Sequence, residues 1–266
     1  MSLSLTTDQI ERYSRQILVP DFGGKGQIRL GQSRVLIIGA GGLGSPSAFY
    51  LTAAGVGAVG LVDADTVELA NLQRQILHAT NDLGKAKVES GKQTLTQLNP
   101  DVEVITYPVR LDFDNIDALF SEYDFIVDGS DNFDTKFLVN DAAVRLKKAY
   151  SHAGIVRWQG QTMTVIANKS ACYRCLFKEP PAPAEMLNCQ QSGIVGAVAG
   201  TIGSIQAAEA IKYLLGFEDG LLTDRLLTYD ARGMKFHEVK VTKDPQCKAC
   251  NRKLEPSATI VKPAGT

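Results

Sequence analysis

Hydrophobic positions along this chain follow two rhythms. Between residues 34 and 153 they gather in short continuous runs, at 34–39, 58–63, 102–106, 124–128 and 149–153, rich in Val, Ile and Leu. Such runs predict strands buried on both faces. Between them the spacing predicts helices: one from the turn after residue 39 to about Ala54, one over 85–98 that Asn99-Pro100 ends, and one over 133–147. The alternation of strand and helix predicts an α/β fold with a mostly parallel, Rossmann-like sheet and helices on both faces. After Gly154 the rhythm changes. Residues 161–167, 225–229 and 235–241 alternate apolar and polar positions, which predicts an antiparallel extension. Residues 196–216 read as one long helix of small residues suited to close packing, and 8–18 as a short helix carrying Arg12 and Arg15.

No internal repeat or linker divides the chain, so a single domain over 1–266 is expected. Its parts are an N-terminal helical arm (1–30), a Rossmann-like nucleotide-binding part (31–153), an antiparallel part with a metal site (154–250) and a disordered tail (251–266). Within the third part, 178–192 is Pro-rich, poor in apolar residues, and reads as a mobile loop.

Composition removes several function classes. With 44% hydrophobic and 21% charged residues and a net charge of -1, the chain is an ordinary globular one and offers no electrostatic case for nucleic acid or an anionic membrane. Its apolar runs are too short to span a bilayer, and the N-terminus lacks the basic start and apolar core of a signal peptide. A cytoplasmic setting is therefore expected. Four of the five cysteines form two pairs, Cys172-x-x-Cys175 and Cys247-x-x-Cys250. In a reducing compartment this reads as one tetrahedral Cys₄ zinc site, structural because four thiolates leave no position open. Redox dithiols or disulfides are the alternative. The fifth, Cys189, sits in the Pro-rich loop, where its thiol is a candidate for reactivity. His78, His152 and His237 show no ligand spacing and read as structural, and Trp158 as a packing residue.

The candidate chemistry lies at the strand ends. Gly39-Ala40-Gly41-Gly42-Leu43-Gly44 satisfies G-x-G-x-x-G between a strand and a helix, with Asp63 about twenty positions beyond it to hold a ribose. Asp65 and the block Asn71-Leu72-Gln73-Arg74-Gln75 then add polar groups and a cation beside the phosphates, and Lys85 and Lys87 follow. Asp131, just past the strand ending at Asp128, reads either as a cap of the next helix or as a Mg²⁺ ligand beside a triphosphate, the second being preferred. No G-x-x-x-x-G-K-[ST] occurs, which excludes a Walker-type NTPase. A nicotinamide-dependent oxidoreductase would use the glycine turn and Asp63 but would leave the Asn71–Gln75 block without purpose. A non-catalytic zinc-stabilised scaffold would not need the cations.

Several blocks together resemble one family: Arg12-Tyr-Ser-Arg-Gln-Ile17, Gly39-x-Gly-Gly-Leu-Gly44, Asp63-x-Asp-x-Val67, Asn71-Leu-Gln-Arg-Gln75, the paired C-x-x-C, and Gly203-Ser-Ile-Gln-Ala-Ala-Glu-Ala-Ile-Lys212. From about residue 8 to Cys250 the chain is similar to the ubiquitin-activating-enzyme-like adenylyltransferases of the ThiF, MoeB and HesA kind. The resemblance implies Mg-ATP-dependent adenylylation of the C-terminal glycine of a ubiquitin-like sulfur carrier ending in Gly-Gly, ThiS- or MoaD-like, for thiamine or molybdopterin biosynthesis. It also implies a homodimer, a structural Zn²⁺, and a sulfurtransferase or cysteine desulfurase as further partner. By position, Asp63 would hold the ribose. Asn71, Arg74, Gln75 and Lys87 would surround the phosphates, and Asp131 would bind Mg²⁺. Arg15 would reach the neighbouring protomer's site, and Cys189 would be the crossover-loop cysteine. The length leaves no room for a C-terminal rhodanese domain, so the fused eukaryotic type is not expected. The paired C-x-x-C argues against the tRNA threonylcarbamoyladenosine dehydratase branch.

Overall fold

A computed structural model describes residues 4–181 and 192–251. Its centre is one eight-stranded sheet. Strands β1 (Arg34–Ile38), β2 (Ala58–Val62), β3 (Glu103–Tyr107), β4 (Phe125–Asp128) and β5 (Ala149–Val156) are parallel. Strands β6 (Gln159–Ile166), β7 (Arg225–Asp230) and β8 (Lys235–Lys240) continue it antiparallel, in the order β3-β2-β1-β4-β5-β6-β7-β8.

The helices are α1 (Thr7–Arg12), α2 (Ser14–Ile17), α3 (Gly23–Gly31), α4 (Gly44–Ala53), α5 (Lys87–Leu98), α6 (Ile116–Ser121), α7 (Phe133–Arg145), α8 (Tyr173–Leu176) and α9 (Gly196–Leu215). Alternate residues of the parallel strands face opposite layers. Val35 and Ile37 join a core with Leu51 of α4, Leu95 of α5 and Leu214 of α9. Leu36 and Ile38 join one with Phe120 of α6 and Val139 of α7. Burial on both faces is why these strands read as continuous apolar runs.

Differences from the expected elements have local causes. The N-terminal helix divides at Tyr13, whose side chain is buried and whose hydroxyl accepts a hydrogen bond from Asn99 Nδ2 at 2.8 Å. Helix α3 falls largely within the expected helical arm but was given no bounds of its own, because glycine is a poor helix former. It is fixed instead by tertiary contacts, with Leu30 fully buried and Gln27 Nε2 donating to the Ala54 carbonyl at 3.0 Å. The β5–β6 hairpin is longer than expected, Val156 pairing with Gln159. Trp158, expected to pack, stands 48% exposed at its turn. His237 likewise lies exposed on β8, whereas His78 and His152 are buried. Cys189, most of the Pro-rich loop and the tail beyond Asn251 lie outside the described residues.

Candidate functional site

The strand order reverses between β1 and β4, and in such sheets ligands sit outside the carboxyl ends at that switch point. Three glycines meet there. Gly39 leaves β1 at φ +87°, a left-handed conformation that favours glycine. A Cβ on Gly44, at the start of α4, would run into the Gly39 carbonyl, and one on Gly39 would stand 3.1 Å from the Gly129 carbonyl. The exits of β1 and β4 and the start of α4 are thereby packed flush.

Asp63, one residue past β2, is fixed by two backbone donors. Ala40 N–H donates to Oδ2 at 2.8 Å, and Asp65 N–H to Oδ1 at 2.9 Å. Burial raises its pKa, and Lys87 offsets part of that rise. Lys87 opens α5 with its side chain 6% exposed, and its ammonium donates to Asp65 Oδ2 at 2.9 Å. A cation at a helix N-terminus opposes the helix dipole. A local rule broken at a strand edge is a mark of function.

The Asn71–Gln75 block begins on the last residue of the 3₁₀ turn Leu69–Asn71 and runs on as a turn. Arg74 donates to Asn71 Oδ1 at 3.2 Å and to the Ala70 carbonyl at 3.3 Å. Its aliphatic stem lies 3.4 Å from where a Cβ on Gly42 would be, and it borders Gly196 at the start of α9. Gln75 is 5% exposed, its amide lies over Gly41, and its Oε1 has no partner among the described residues. An orphaned acceptor beside an open glycine turn fits a site that is completed by a ligand. His78 braces this turn from below, with Nε2 2.9 Å from the Ala40 carbonyl and Nδ1 2.9 Å from Ser90 Oγ.

At the β4 exit the cap of α7 is Asn132, whose Oδ1 accepts from Thr135 N–H at 2.9 Å. Asp131 is therefore not the cap. It is exposed two residues past Gly129, whose backbone packs against Gly39 and Gly44, and its carboxylate is a hard oxygen donor of the kind that suits Mg²⁺. Arg15 stands apart: it is exposed on α2 and makes no hydrogen bond or ion pair with the described residues.

Behind this edge is a buried set that periodicity did not reveal. Asp128 and His152 are buried, with His152 Nδ1 3.4 Å from Asp128 Oδ2, and Lys136 Nζ lies 3.6 Å from the same oxygen. Burial alone would raise the Asp128 pKa, but Lys136, His152 and Ser130 outweigh it and hold the carboxyl at about 2. The available signal was helical spacing: Lys136 and Asn140 fall one turn apart on the buried face of α7.

The four paired cysteines converge. Cys172 Sγ lies 3.9 Å from Cys175 Sγ and 3.6 Å from Cys247 Sγ, Cys175 lies 3.5 Å from Cys250, and all four sulfurs fall within 4.8 Å of one another. Zinc–sulfur bonds of about 2.3 Å require tetrahedral edges of about 3.8 Å, so the donor set fits that metal. Burial, then the neighbouring thiols, raise the Cys172 pKa, which a bound cation would reverse. The first knuckle is tied to α7. Arg174 makes a two-point pair with Asp141 at 2.7 and 2.8 Å, and Tyr173 N–H donates to Asn140 Oδ1 at 2.9 Å. No helix among the described residues is long and apolar enough to cross a membrane.

Known proteins resemble this chain over most of its length. Residues 13–249 match the profile of the ThiF family. The chain is 43% identical over 250 residues to a protein of Thermus thermophilus named sulfur carrier protein adenylyltransferase, covering 92% of each. It is 45% identical over 249 residues to the adenylyltransferase and sulfurtransferase MOCS3 of Culex quinquefasciatus, covering 93% of this chain but only 56% of that relative's length. Among solved structures, E. coli MccB with MccA-N7isoASN superposes with a TM-score of 0.81 at 25% identity, over 94% of this chain and 76% of the other.

Proposed function

Because the chain belongs to the ThiF family, we propose that it adenylylates the C-terminal glycine carboxylate of a ubiquitin-like sulfur carrier, with ATP as donor and pyrophosphate as second product. The observation that carries this reading is the convergence, at one switch point, of the glycine turn, the doubly held Asp63 and the cations Arg74 and Lys87. In this reading Asp63 holds the ribose, and Asn71, Arg74, Gln75 and Lys87 surround the phosphates. Asp131 would hold Mg²⁺, which would supply positive charge beside the departing pyrophosphate.

The chemistry suits this inventory. A C-terminal carboxylate, with a pKa of about 3.5, is already ionised at neutral pH and needs no base to attack the α-phosphorus. As its oxygen bonds to phosphorus, the bond to pyrophosphate breaks. What the site must supply is alignment and positive charge. A hydride-transfer enzyme would have no use for Arg74 and Lys87 here.

The wider reading includes a homodimer in which Arg15 completes the partner's site, supported by its exposure and by its lack of a partner among the described residues. It also includes a structural Zn²⁺ on Cys172, Cys175, Cys247 and Cys250, and a cytoplasmic setting that keeps those thiols reduced. The carrier is ThiS- or MoaD-like, serving thiamine or molybdopterin synthesis, with a sulfurtransferase or cysteine desulfurase downstream. Cys189 acts only after adenylylation, if an acyl-adenylate passes to a thiol. The test is ATP–pyrophosphate exchange dependent on a carrier ending in Gly-Gly. Exchange is expected with the intact tail and none with a tail lacking its last glycine. Exchange indifferent to the carrier would sink the reading.

A further inference from the structure

Lys136 lies one helical turn past the β4 exit, where a lysine facing a nucleotide crevice would ordinarily be taken for a phosphate ligand. It is not available for that role. The residue is 7% exposed, and its ammonium donates to the Ser130 carbonyl at 2.7 Å and the Ala153 carbonyl at 2.6 Å, with Asp128 Oδ2 3.6 Å away. Asp128 in turn accepts from Ser130 N–H at 3.0 Å and from Ser130 Oγ at 2.5 Å. The Ser130 peptide is thus gripped from both ends, its N–H and hydroxyl by the aspartate and its carbonyl by the lysine. On the other side Asn132 is locked as the cap of α7.

Asp131 is the residue between these two fixed points. The same turn cannot drift away from the glycine turn, since a Cβ on Gly129 would already stand 3.1 Å from Gly44 N and 3.1 Å from the Ile38 carbonyl. From behind, Gln206 Nε2 donates to the Asp128 carbonyl at 3.0 Å. Tyr173 packs its ring 4.4 Å from that of His152, which touches the same carboxylate. A buried ion pair is weak evidence for stability, because well-packed apolar residues usually stabilise as much. An ion pair kept at the edge of a ligand crevice, with its ammonium bridging the Ser130 carbonyl of the turn and the Ala153 carbonyl of β5, is instead suited to holding that turn in one geometry.

We infer that Lys136 is a positioning residue for the nucleotide site: its buried ammonium, paired with Asp128 and gripping the Ser130 carbonyl, holds Asp131 against the glycine turn where the metal of Mg-ATP would bind. This rests on the nucleotide reading above, and the experiment separates the two. Binding of a non-hydrolysable ATP analogue to the full chain is measured by calorimetry with Mg²⁺ and again with EDTA, for wild type, Lys136→Met and Lys136→Arg. A second form, Lys136→Met combined with Asp128→Asn, removes the two charges together and keeps the comparison open if the single variant folds poorly.

Lys136→Met and the double variant should lose about tenfold or more of the affinity that Mg²⁺ adds, as supporting residues behind metal ligands do. Affinity in EDTA should stay near wild type, and Lys136→Arg should recover most of the loss. A folded variant that keeps the full Mg²⁺ effect, or loses as much in EDTA as in Mg²⁺, would overturn the inference. Wild type that binds no Mg-nucleotide at all removes the nucleotide reading itself, and this inference with it.

Discussion

A histidine cut off from solvent must stay neutral to keep its place. His152 is 1% exposed. A neutral ring facing the Asp128 carboxylate donates from Nδ1, which leaves Nε2 as a bare acceptor, and that atom has no partner among the described residues. Burial pushes its pKa down to about 4, although Asp128 pulls the other way. The unfolded chain takes up a proton near pH 6.5 that the folded chain refuses, so stability is present above that pH and is lost as pH falls toward 4. Wild type should lose about 2 kcal/mol between neutral pH and pH 5 through this residue. His78, also pushed down by burial, adds in the same direction. Urea unfolding of His152→Phe should show a shallower pH slope than wild type, and coincident slopes would refute the assignment. At this scale the sequence was readable where placement follows spacing. The position of Asp63 against the glycine turn could be found by its distance from the glycines. Lys136 could not, because a lysine in a helix looks like surface until the strand beneath it is known to end in a buried aspartate.

The elements were legible in proportion to how fully they are buried. β1, β2 and β4, covered on both faces, announced themselves as apolar runs, and the long helix α9 by its small residues. Those residues have a use: Gly203 lets α9 sit on the Leu43 carbonyl, and the Gly203 carbonyl accepts from Ser47 Oγ at 2.9 Å. Helix α6, six residues long, was too short to leave a period, yet Ile116 and Phe120 are fully buried. The knuckle elements carry their own prediction. With its four sulfurs at tetrahedral spacing, the protein should hold one zinc per chain. Loss of a structural metal belongs to the largest class of destabilisations, above about 4 kcal/mol, which corresponds to a drop in Tm of about 10 °C or more at this size. Chelation followed by thermal unfolding would show it, and an unchanged Tm after verified metal removal would count against a structural role. Because the hydrogen bonds of Tyr173 and Arg174 anchor the knuckle to α7, and only ring packing on His152 links it to the Asp128 turn, exchange activity at low temperature should outlast the metal.

For the whole molecule, the proposed dimer makes a quantitative demand. If Arg15 serves the neighbouring site, a hybrid of one Arg15→Ala and one Asp131→Ala subunit holds one intact site and one doubly defective site. An equal mixture of the two inactive proteins, after subunit exchange, should recover roughly a quarter of wild-type activity under two-fold symmetry. No recovery after verified exchange would place Arg15 in its own site. The order of strands across the sheet bears on something else, the timing of synthesis. β2 adds to β1 and β3 to β2. β4 then joins the other side of β1, and β5, β6, β7 and β8 each add to the strand made just before. A chain emerging from the ribosome therefore meets, at every strand, an edge already in place. The cysteines break that rule, since Cys172 and Cys247 are 75 residues apart. At synthesis rates of about 5–20 residues per second, the first pair waits roughly 4–15 s for the second. During that interval Cys172 and Cys175 form an open hook, and what they catch depends on the metals and oxidants around the ribosome, before the finished fold can choose.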